Sequence, residues 1–298
     1  MTTLCRCRVP LPPGYRIADF LAFHGRDAAQ TAEQVTADSL RKGLVWQRRP
    51  ACLTVRFTAA AVEATLDGDP PPPGAEPLET LLRRMLGLTQ PIAAFERAYA
   101  RHPDLGRLIA RHPGLRLPVS ASAFEALIWA VAGQQISVQA ALSLRRKVIE
   151  TANIRHSSGL LCHPDAAALA ALTPEQLRAA GFSRSKAATA QEIAARLQDG
   201  RLRLEAAADP GDEERLRQSL LAIPGIGPWT VSYALLRGFG LLDGSLHGDV
   251  AVRRGLQSLL NSPTPPTGQE TELWLAPFRP WRALVAAHLW AWKSAQAY

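Results

Sequence analysis

The stretch that decides the fold is IPGIGPWTVSYALLRGFGLLDGSLHGDVAVRRG, residues 223–255. It begins with a turn in which Gly225 and Gly227 allow the backbone to bend sharply. Apolar residues at helical spacing flank this turn, so one helix is predicted to end near Ala222 and a second to begin near Pro228. The stretch therefore predicts two helices joined by a tight hairpin.

The hairpin consists of Pro224, Gly225, Ile226 and Gly227. Glycines let backbone amides approach an incoming group closely, and the N-terminus of the next helix offers unpaired N–H donors and positive potential. Such a hairpin can hold a phosphate without any side chain. A GxG pair by itself is more often a plain turn between helices, so its surroundings must decide between the two interpretations.

Asp249 is the candidate catalytic residue of the same stretch. It precedes VAVRRGLQSLL, which has helical periodicity, so it is also predicted to be the N-cap of that helix. An N-cap position fixes the direction of a carboxylate and keeps it ionised, which suits an anion that must face a developing cation. Both roles are compatible. The nearby Asp243, in LLDGS, is interpreted as a solvated turn residue.

The pattern of apolar and polar residues differs on the two sides of a proline-rich segment. Before it, alternating stretches (CRCRV and ACLTVRFT) and a short amphipathic segment (RIADFLAF) predict a small unit of sheet and helix. The segment DGDPPPPGAEP, residues 67–77, cannot continue a helix or a strand and is predicted to be a connection. Beyond it the pattern is helical almost to the end of the chain. The predicted fold class is mainly α, an all-helical core with a small N-terminal α/β domain.

Helix boundaries in the second part are marked by capping signals. Ser122 with Glu125 and Thr173 with Gln176 both match capping boxes, and Gly181 is predicted to follow a helix C-terminus. Further helices are predicted to begin after Ser183 or Ser185 and at Asp212. No internal repeat or heptad pattern is present.

Composition narrows the class of protein. The chain of 298 residues carries a formal net charge of +8, almost all of its cations being arginines, which suits phosphate contacts but is also what an arginine-rich proteome produces. No apolar run is long enough to span a bilayer and the N-terminus lacks a signal-peptide pattern, so a cytoplasmic protein without membrane contact is expected. The four cysteines form neither a CxxC pair nor a cluster, which predicts reduced thiols and no metal or iron–sulfur centre.

Several ordered motifs together resemble one family. LLAIPGIGPWTVSYALLRG followed by LHGDVAVRRG resembles the hairpin and aspartate signature of the helix-hairpin-helix-GPD superfamily of DNA glycosylases. AFEALIWAVAGQQISVQAA (residues 123–141) and PFRPWRALVAAHLWAW (residues 277–292) are similar to its AlkA-type 3-methyladenine DNA glycosylase II branch. The N-terminal unit resembles the α/β domain of that branch more loosely. The resemblance implies an α/β domain over 1–88 and a helical glycosylase domain over 89–298, made of two helical subdomains with a cleft between them.

The resemblance also implies roles for individual residues. Trp229, Tyr233 and Trp290, with Phe20 from the N-terminal unit, are expected to line a pocket for a flipped base, although such aromatic residues are usually core supports. In the loop GQQISV, Gln135 and then Ile136 are the candidates for the wedge that fills the gap in the duplex. This departs from family members with a leucine there, and HGD stands where close relatives have a proline and a second acidic residue, so His247 is interpreted as a surface residue.

The implied activity is that of a monofunctional DNA glycosylase that hydrolyses the N-glycosidic bond of alkylated purines, 3-methyladenine and 7-methylguanine, and leaves an abasic site. Bifunctional relatives carry a nucleophilic lysine two positions after the second hairpin glycine, where this chain has Trp229. The expected partner is double-stranded DNA containing alkylated bases, bound by a monomer. No cofactor or metal is expected, although the hairpin carbonyls are compatible with a monovalent cation.

Two alternatives remain open at this stage. One is a glycosylase for deaminated or oxidised bases, because pocket aromatics do not fix the range of substrates. The other is a non-catalytic helix-hairpin-helix protein that binds lesions without cutting. The joint presence of Asp249 and the aromatic set favours an enzyme over the binding protein.

Overall fold

The N-terminal part of the chain is an antiparallel sheet covered by helices. The computed structural model describes residues 4–68, 76–204 and 210–293. The five strands follow the order β1-β5-β4-β3-β2. They are β1 (Leu4–Pro10), β2 (Glu33–Val35), β3 (Ser39–Trp46), β4 (Arg49–Phe57) and β5 (Ala61–Asp67).

Alternation along the strands sets which face is buried. The register pairs Val9 with Val62 and Val62 with Phe57, so that one face is apolar. Helices α1 (Ile17–His24) and α2 (Leu78–Met85) pack their leucines into this core. The alternating stretches CRCRV and ACLTVRFT thus lie in β1 and β4, as predicted. Of the predicted connection over 67–77, residues 69–75 lie outside the described residues.

The rest of the chain is helical, and the prediction of a mainly α fold with a small N-terminal α/β part is confirmed. A short 3-10 turn over Ala276–Phe278 precedes the last helix. The helices are α3 (Ile92–Tyr99), α4 (Leu105–Arg111), α5 (Ala123–Gly133), α6 (Val138–Ala152), α7 (Ala166–Ala170), α8 (Pro174–Ala179), α9 (Arg184–Gln198), α10 (Pro210–Leu221), α11 (Pro228–Phe239), α12 (Val250–Leu260), α13 (Gly268–Leu275) and α14 (Arg282–Lys293).

Two apolar cores share helix α11. One core joins α3, α4, α12 and α14, and it receives Tyr233 and Leu236 from α11. The other joins α5 to α10, and it receives Val231 and Leu235 from the opposite side of α11. Helix α11 is therefore held from both sides, and the residues at its N-terminal end lie where the two cores meet. The domain boundary at residue 88 and the cleft between two subdomains stay predictions.

The capping signals were mostly correct. Thr173 and Gln176 form a reciprocal capping box, and Ser183 caps α9. Ser122 accepts the amide of Glu125, but the Glu125 side chain does not complete the box, because it pairs with Lys42 instead. Helix α10 begins at Pro210, two residues before the predicted start.

Buried charges join the sheet to the helices. Lys42 of β3, with no exposed surface, contacts Glu33 of β2 and Glu125 of α5, and Arg145 of α6 contacts both carboxylates. Burial alone would raise the pKa of Glu33, but Arg145 and Lys42 outweigh it and hold the pKa at about 2. On the other side of β3, Gly43 leaves room for the Leu161 carbonyl, which would lie 2.2 Å from a Cβ at that position. The buried ion pairs and this close backbone contact thus hold the N-terminal part against the helical part.

Candidate active site

The hairpin lies between α10 and α11, as predicted. Gly225 has a φ of +87° and packs against Thr189 of α9. The Thr189 hydroxyl donates to the Pro224 carbonyl at 2.9 Å, and Gln134 Nε2 donates to the Gly225 carbonyl at 2.9 Å. A Cβ on residue 225 would lie 2.1 Å from Thr189 Oγ1. Both the backbone angle and the packing therefore require glycine here.

The hairpin leads directly into the start of α11. Gly227 is the N-cap residue of α11 and supplies no side chain to the first turn, and Pro228 occupies the first helical position. Within the described part of the chain, no protein acceptor is found for the amides of Gly225 and Gly227. These amides and the helix N-terminus form the arrangement that binds phosphate oxygens in proteins.

Asp249 caps helix α12, as the sequence predicted. Its Oδ1 accepts the amides of Ala251 at 2.8 Å and Val252 at 3.1 Å. The same carboxylate accepts two indole N–H groups, from Trp229 on Oδ2 at 3.1 Å and from Trp290 on Oδ1 at 3.2 Å. Four donors from three helices therefore fix the plane of this half-buried carboxylate, and all four suit an acceptor that is ionised.

Aromatic rings continue from the carboxylate into the protein. Trp229 stacks on Tyr233 with ring centroids 5.3 Å apart, and Tyr233 lies 6.5 Å from Trp290. Trp129 of α5 donates its indole N–H to the Tyr233 hydroxyl at 2.9 Å. Sequence reasoning missed Trp129; its position four residues before the GQQISV loop was the available signal.

These rings border a cavity of about 720 Å³ that extends along α11 from Trp229 in its first turn to Arg237 in its last turn. Trp229, Tyr233, Trp290 and Asp249, all predicted site residues, line it together. The size is that of a typical small-ligand pocket with mainly aromatic walls and few polar groups.

Phe20 does not take the predicted place in this pocket. Its side chain has no exposed surface and packs against Phe57 and His24 in the core of the N-terminal part. An apolar position on the inner face of a short helix is drawn into the sheet core, and this is the physical reason for the difference. The N-terminal part reaches the cavity instead through Ala22, Gly25 and Arg26.

Two arginines at the cavity were also missed. Arg26 lies 4.6 Å from the Trp129 ring centroid, and Arg237 lies 5.7 Å from that of Trp290. Arg237 is 2% exposed, and burial lowers its pKa to about 10. In a sequence with so many arginines, nothing in the pattern indicates which of them will line a cavity.

The predicted wedge loop is exposed beside the cavity. Gln135 is exposed with a φ of +56°, and Ile136, which lines the cavity, is 39% exposed. Lys186 of α9 holds the start of this loop, since its ammonium group donates to the carbonyls of Ala132 and Gln134 at 2.8 Å each. Gln134, not predicted as a site residue, links this loop to the hairpin through the Gly225 carbonyl.

The prediction that Asp243 is a solvated turn residue is wrong. Its carboxylate pairs with the Arg282 guanidinium at 2.8 and 3.0 Å, and its carbonyl accepts a further bond from that arginine. It therefore ties the α11–α12 connection to the start of α14. His247 bonds Ser245 and is partly exposed, in line with the prediction of a surface residue.

The fold and site together define a helix-hairpin-helix protein with an aromatic cavity and a capped carboxylate beside its hairpin. The chain belongs to the HhH-GPD superfamily of base excision DNA repair proteins, whose family model matches residues 128–280. A second model, the AlkA N-terminal domain, matches residues 6–122. The resemblance seen in the sequence motifs is thereby confirmed.

Curated relatives agree with this assignment, and a solved structure shares the fold. DNA-3-methyladenine glycosylase 2 of Escherichia coli is 32% identical over 62% of this chain and 63% of its own length. A probable bifunctional transcriptional activator/DNA repair enzyme AlkA of Mycobacterium tuberculosis is 30% identical over 70% of this chain and 41% of its own length. The chain thus matches less than two thirds of either relative. The 3-methyladenine DNA-glycosylase of Archaeoglobus fulgidus shares the fold, with a TM-score of 0.77 at 21% identity over 96% of this chain and 98% of that one.

Across the described ranges, no helix has the length and apolar character needed to cross a bilayer.

Proposed function

We propose that this protein is a monofunctional DNA glycosylase that hydrolyses the N-glycosidic bond of alkylated purines flipped out of duplex DNA. The observation that carries the proposal is the Asp249 carboxylate, which is held by Trp229 and Trp290 and lines the aromatic cavity. Membership of a base excision repair family supports it. The 3-methyladenine glycosylase names of the relatives support the choice of alkylated purines.

Base flipping explains why the cavity is aromatic. A base inside duplex DNA is inaccessible, so its nucleotide must rotate into a pocket that compensates for lost stacking. Trp229, Tyr233 and Trp290 supply ring faces for this purpose. Alkylation at N3 or N7 leaves a purine positively charged, and ring faces attract such a base by about 0.5–2 kcal/mol.

Asp249 then acts on the sugar. The bond between C1′ and the base nitrogen breaks, its electron pair leaves with the base, and positive charge develops on the sugar. The ionised carboxylate stabilises this charge, and a water oxygen bonds to C1′ while its proton passes to the carboxylate or to solvent. The alkylated base is already a good leaving group, so no general acid is needed on its side.

The proposal includes the absence of lyase chemistry. A lyase needs an amine that attacks C1′, and the position that carries it in bifunctional relatives is Trp229 here. None of the described side chains that line the cavity is a lysine. Lys186 is the lysine nearest to the hairpin in the sequence, and its ammonium group donates to the Ala132 and Gln134 carbonyls.

The hairpin is proposed to bind the DNA backbone through its amides and nearby arginines. No cofactor is proposed for the chemical step. A monovalent cation fits the Pro224 and Gly225 carbonyls, because each accepts one hydrogen bond and keeps a second lone pair. Such an ion would neutralise phosphate charge and take no part in bond cleavage. The protein is proposed to act as a monomer in the cytoplasm, on double-stranded DNA.

The test is release of free bases from dimethyl-sulfate-treated DNA by wild type and by Asp249→Asn, with DNA binding measured for both. We expect wild type to release methylated purines, and the variant to bind DNA equally well without releasing them. If both bind and neither releases a base, the protein is a lesion-binding module. If wild type releases bases only from deaminated or oxidised DNA, the substrate class is the second one considered from the sequence.

A salt series tests the backbone contacts. Binding of an abasic-site duplex through phosphates releases counterions, so affinity is expected to fall steeply between about 50 and 200 mM salt. An affinity that does not change over this range contradicts binding through the hairpin and arginines.

A further inference from the structure

Gln134 connects the hairpin to the loop that carries the wedge candidates. It is the C-cap residue of α5 and directly precedes Gln135 and Ile136. Its side-chain Nε2 donates to the Gly225 carbonyl and to the Thr230 hydroxyl, both at 2.9 Å. A carboxamide nitrogen carries two hydrogens, so these bonds use both donors of the group. The side chain is therefore fixed on the hairpin and on the first turn of α11.

Helix α9 holds the loop and the hairpin separately. Lys186 donates to the Gln134 carbonyl at 2.8 Å, and Thr189, about one turn further along α9, donates its hydroxyl to the Pro224 carbonyl at 2.9 Å. The bond from the Gln134 side chain closes a ring made of the loop, α9 and the hairpin. When that bond is removed, the other two still attach the loop and the hairpin to α9. The side chain of Gln134 can thus be changed without releasing either part.

The backbone of the loop is held at both ends. Gln135 is exposed and has a φ of +56°, a left-handed conformation that a residue with a side chain keeps only where its surroundings enforce it. Gln134 fixes the start of the loop, and Ser137 fixes its end as the N-cap of α6, accepting the amide of Ala140 at 3.2 Å. A loop that is held in one shape before binding loses little conformational entropy when it meets the duplex.

We propose that Gln134 is a positioning residue that couples the hairpin to the wedge. This inference rests on the proposed function, because it requires the hairpin to bind phosphate and Gln135 or Ile136 to enter the duplex. Successive Cα atoms are about 3.8 Å apart, so a residue one or two positions after Gln134 stays close to the hairpin while the bond to Gly225 is intact. The backbone phosphate at the hairpin therefore sets where the wedge enters, and opening of a paired base depends on that bond.

The first test compares a paired and an unpaired lesion. Gln134→Met keeps the approximate length of the side chain and removes its donors. Single-turnover excision is measured on one 7-methylguanine placed opposite cytosine or opposite an abasic-site analogue, where no base pair has to open. Relative to wild type, the variant is expected to slow excision of the paired lesion about tenfold more than that of the unpaired lesion, roughly the value of two neutral hydrogen bonds. An equal effect on the two duplexes overturns the proposal.

Thr189→Ala is the matched control. This change removes the other bond to the hairpin, at Pro224, and leaves the bond from Gln134 in place. It is expected to slow excision of both lesions to the same extent, because the hairpin is disturbed while the wedge is not. A purely structural role of Gln134 would give this same result. A selective defect on the paired lesion as large in Thr189→Ala as in Gln134→Met overturns the proposal.

A triple variant tests whether Gln134 acts through the wedge. In a chain that carries Gln135→Ala and Ile136→Ala, no wedge side chain remains to be positioned. Adding Gln134→Met to this chain is expected to slow excision of the paired lesion no more than that of the unpaired lesion. A further tenfold selective loss on the paired lesion would show that Gln134 acts by another route, and would overturn the coupling.

A binding measurement separates this inference from the proposed function. 2-Aminopurine placed beside the lesion fluoresces more strongly when it loses a stacking neighbour, whether or not a base is released. At saturating protein, wild type is expected to raise this fluorescence on the paired duplex, and Gln134→Met to raise it less. An equal rise with both proteins, or no rise with wild type, overturns the coupling. If the rise occurs with wild type but no methylated base is released, only the proposed function is overturned.

Discussion

Trp229 donates its indole N–H to Asp249 Oδ2 at 3.1 Å, although Trp229 lies in α11 and Asp249 is the N-cap of α12. The base-stacking wall and the proposed catalytic carboxylate are thus one hydrogen-bonded unit. Trp290 completes this unit from α14 by donating to Oδ1. The direction of the carboxylate depends on the positions of two indole rings as well as on its own helix cap.

Removing the indole donor is expected to slow excision more than it weakens binding. Trp229→Phe keeps a ring on Tyr233 and loses the hydrogen bond to Asp249, whose value for a charged acceptor is about 1.5–3 kcal/mol, or roughly 10–100-fold in rate. Single-turnover base release and affinity for an abasic-site duplex measure the two effects. Trp274→Phe, which alters a ring packed on Phe278, is the control. Equal loss in both variants would contradict a specific role for the donor.

Trp290→Ala tests the wall itself. The change removes both a ring face and the donor to Oδ1, so excision is expected to fall at least as far as in Trp229→Phe. The fold should persist, although a buried indole is lost and stability drops by about 3–5 kcal/mol. Circular dichroism and base release are measured together. Normal release by a folded variant would remove Trp290 from the pocket.

Gly225→Ala is expected to abolish binding at the hairpin. Its φ of +87° costs an alanine about 1–2 kcal/mol, and its Cβ would in addition lie 2.1 Å from Thr189 Oγ1. Gly200→Ala is a matched control, since Gly200 has a φ of +77° with no atom within 4 Å of the added Cβ. Both variants carry the backbone strain, but only the first must move the hairpin. DNA binding by Gly225→Ala as strong as that of Gly200→Ala would argue against phosphate contacts there.

The wedge is tested by making the duplex easier to open. Gln135→Ala or Ile136→Ala is expected to slow excision of a base-paired lesion, because the gap left by flipping is no longer filled. The defect should shrink when the lesion lies opposite an abasic site or in a single strand, where little stacking is lost. A defect of the same size in all these substrates would point to the pocket rather than to a wedge. The variant with the larger defect identifies the wedge residue.

Stability is expected to fall as the pH drops below 6.5. Burial lowers the pKa of His24 to about 3 and that of His163 to about 4, from 6.5 in the unfolded chain. The unfolded state therefore binds more protons between these values, and each imidazole removes up to about 1.4 kcal/mol per pH unit as the pH falls. Urea unfolding at pH 7.5, 6 and 5 measures the slope. His24→Phe should reduce the dependence of the free energy of unfolding on pH by the contribution of one imidazole. An unchanged pH dependence would contradict the lowered pKa of His24.

The fold could be predicted because its signals are local. The two glycines of PGIG, the Thr173 and Ser183 caps and the alternation in β1 and β4 each act within a few residues. The N-cap role of Asp249 is also local and followed from the helical pattern after it.

What the sequence did not reveal depends on tertiary contacts. Glu125 leaves its capping box because Lys42 lies 83 positions away in the chain and 2.7 Å away in space. Phe20 faces the sheet core rather than the pocket because α1 lies on that sheet, and Trp129 and Arg26 meet only when the N-terminal part docks on α5. The spacing of residues in the sequence does not predict these tertiary contacts.

The buried Lys42, shared between Glu33 and Glu125, has a consequence for how the molecule unfolds. If the sheet melted first, Glu125 would lose Lys42 and Arg145 would lose Glu33, and only the Glu125–Arg145 pair of this buried network would remain. Breaking a buried ion pair by removing one partner costs about 3–5 kcal/mol. The two parts therefore stabilise one another, so heating should give one calorimetric transition rather than two. The sheet and the helices are therefore expected to unfold as a single cooperative unit.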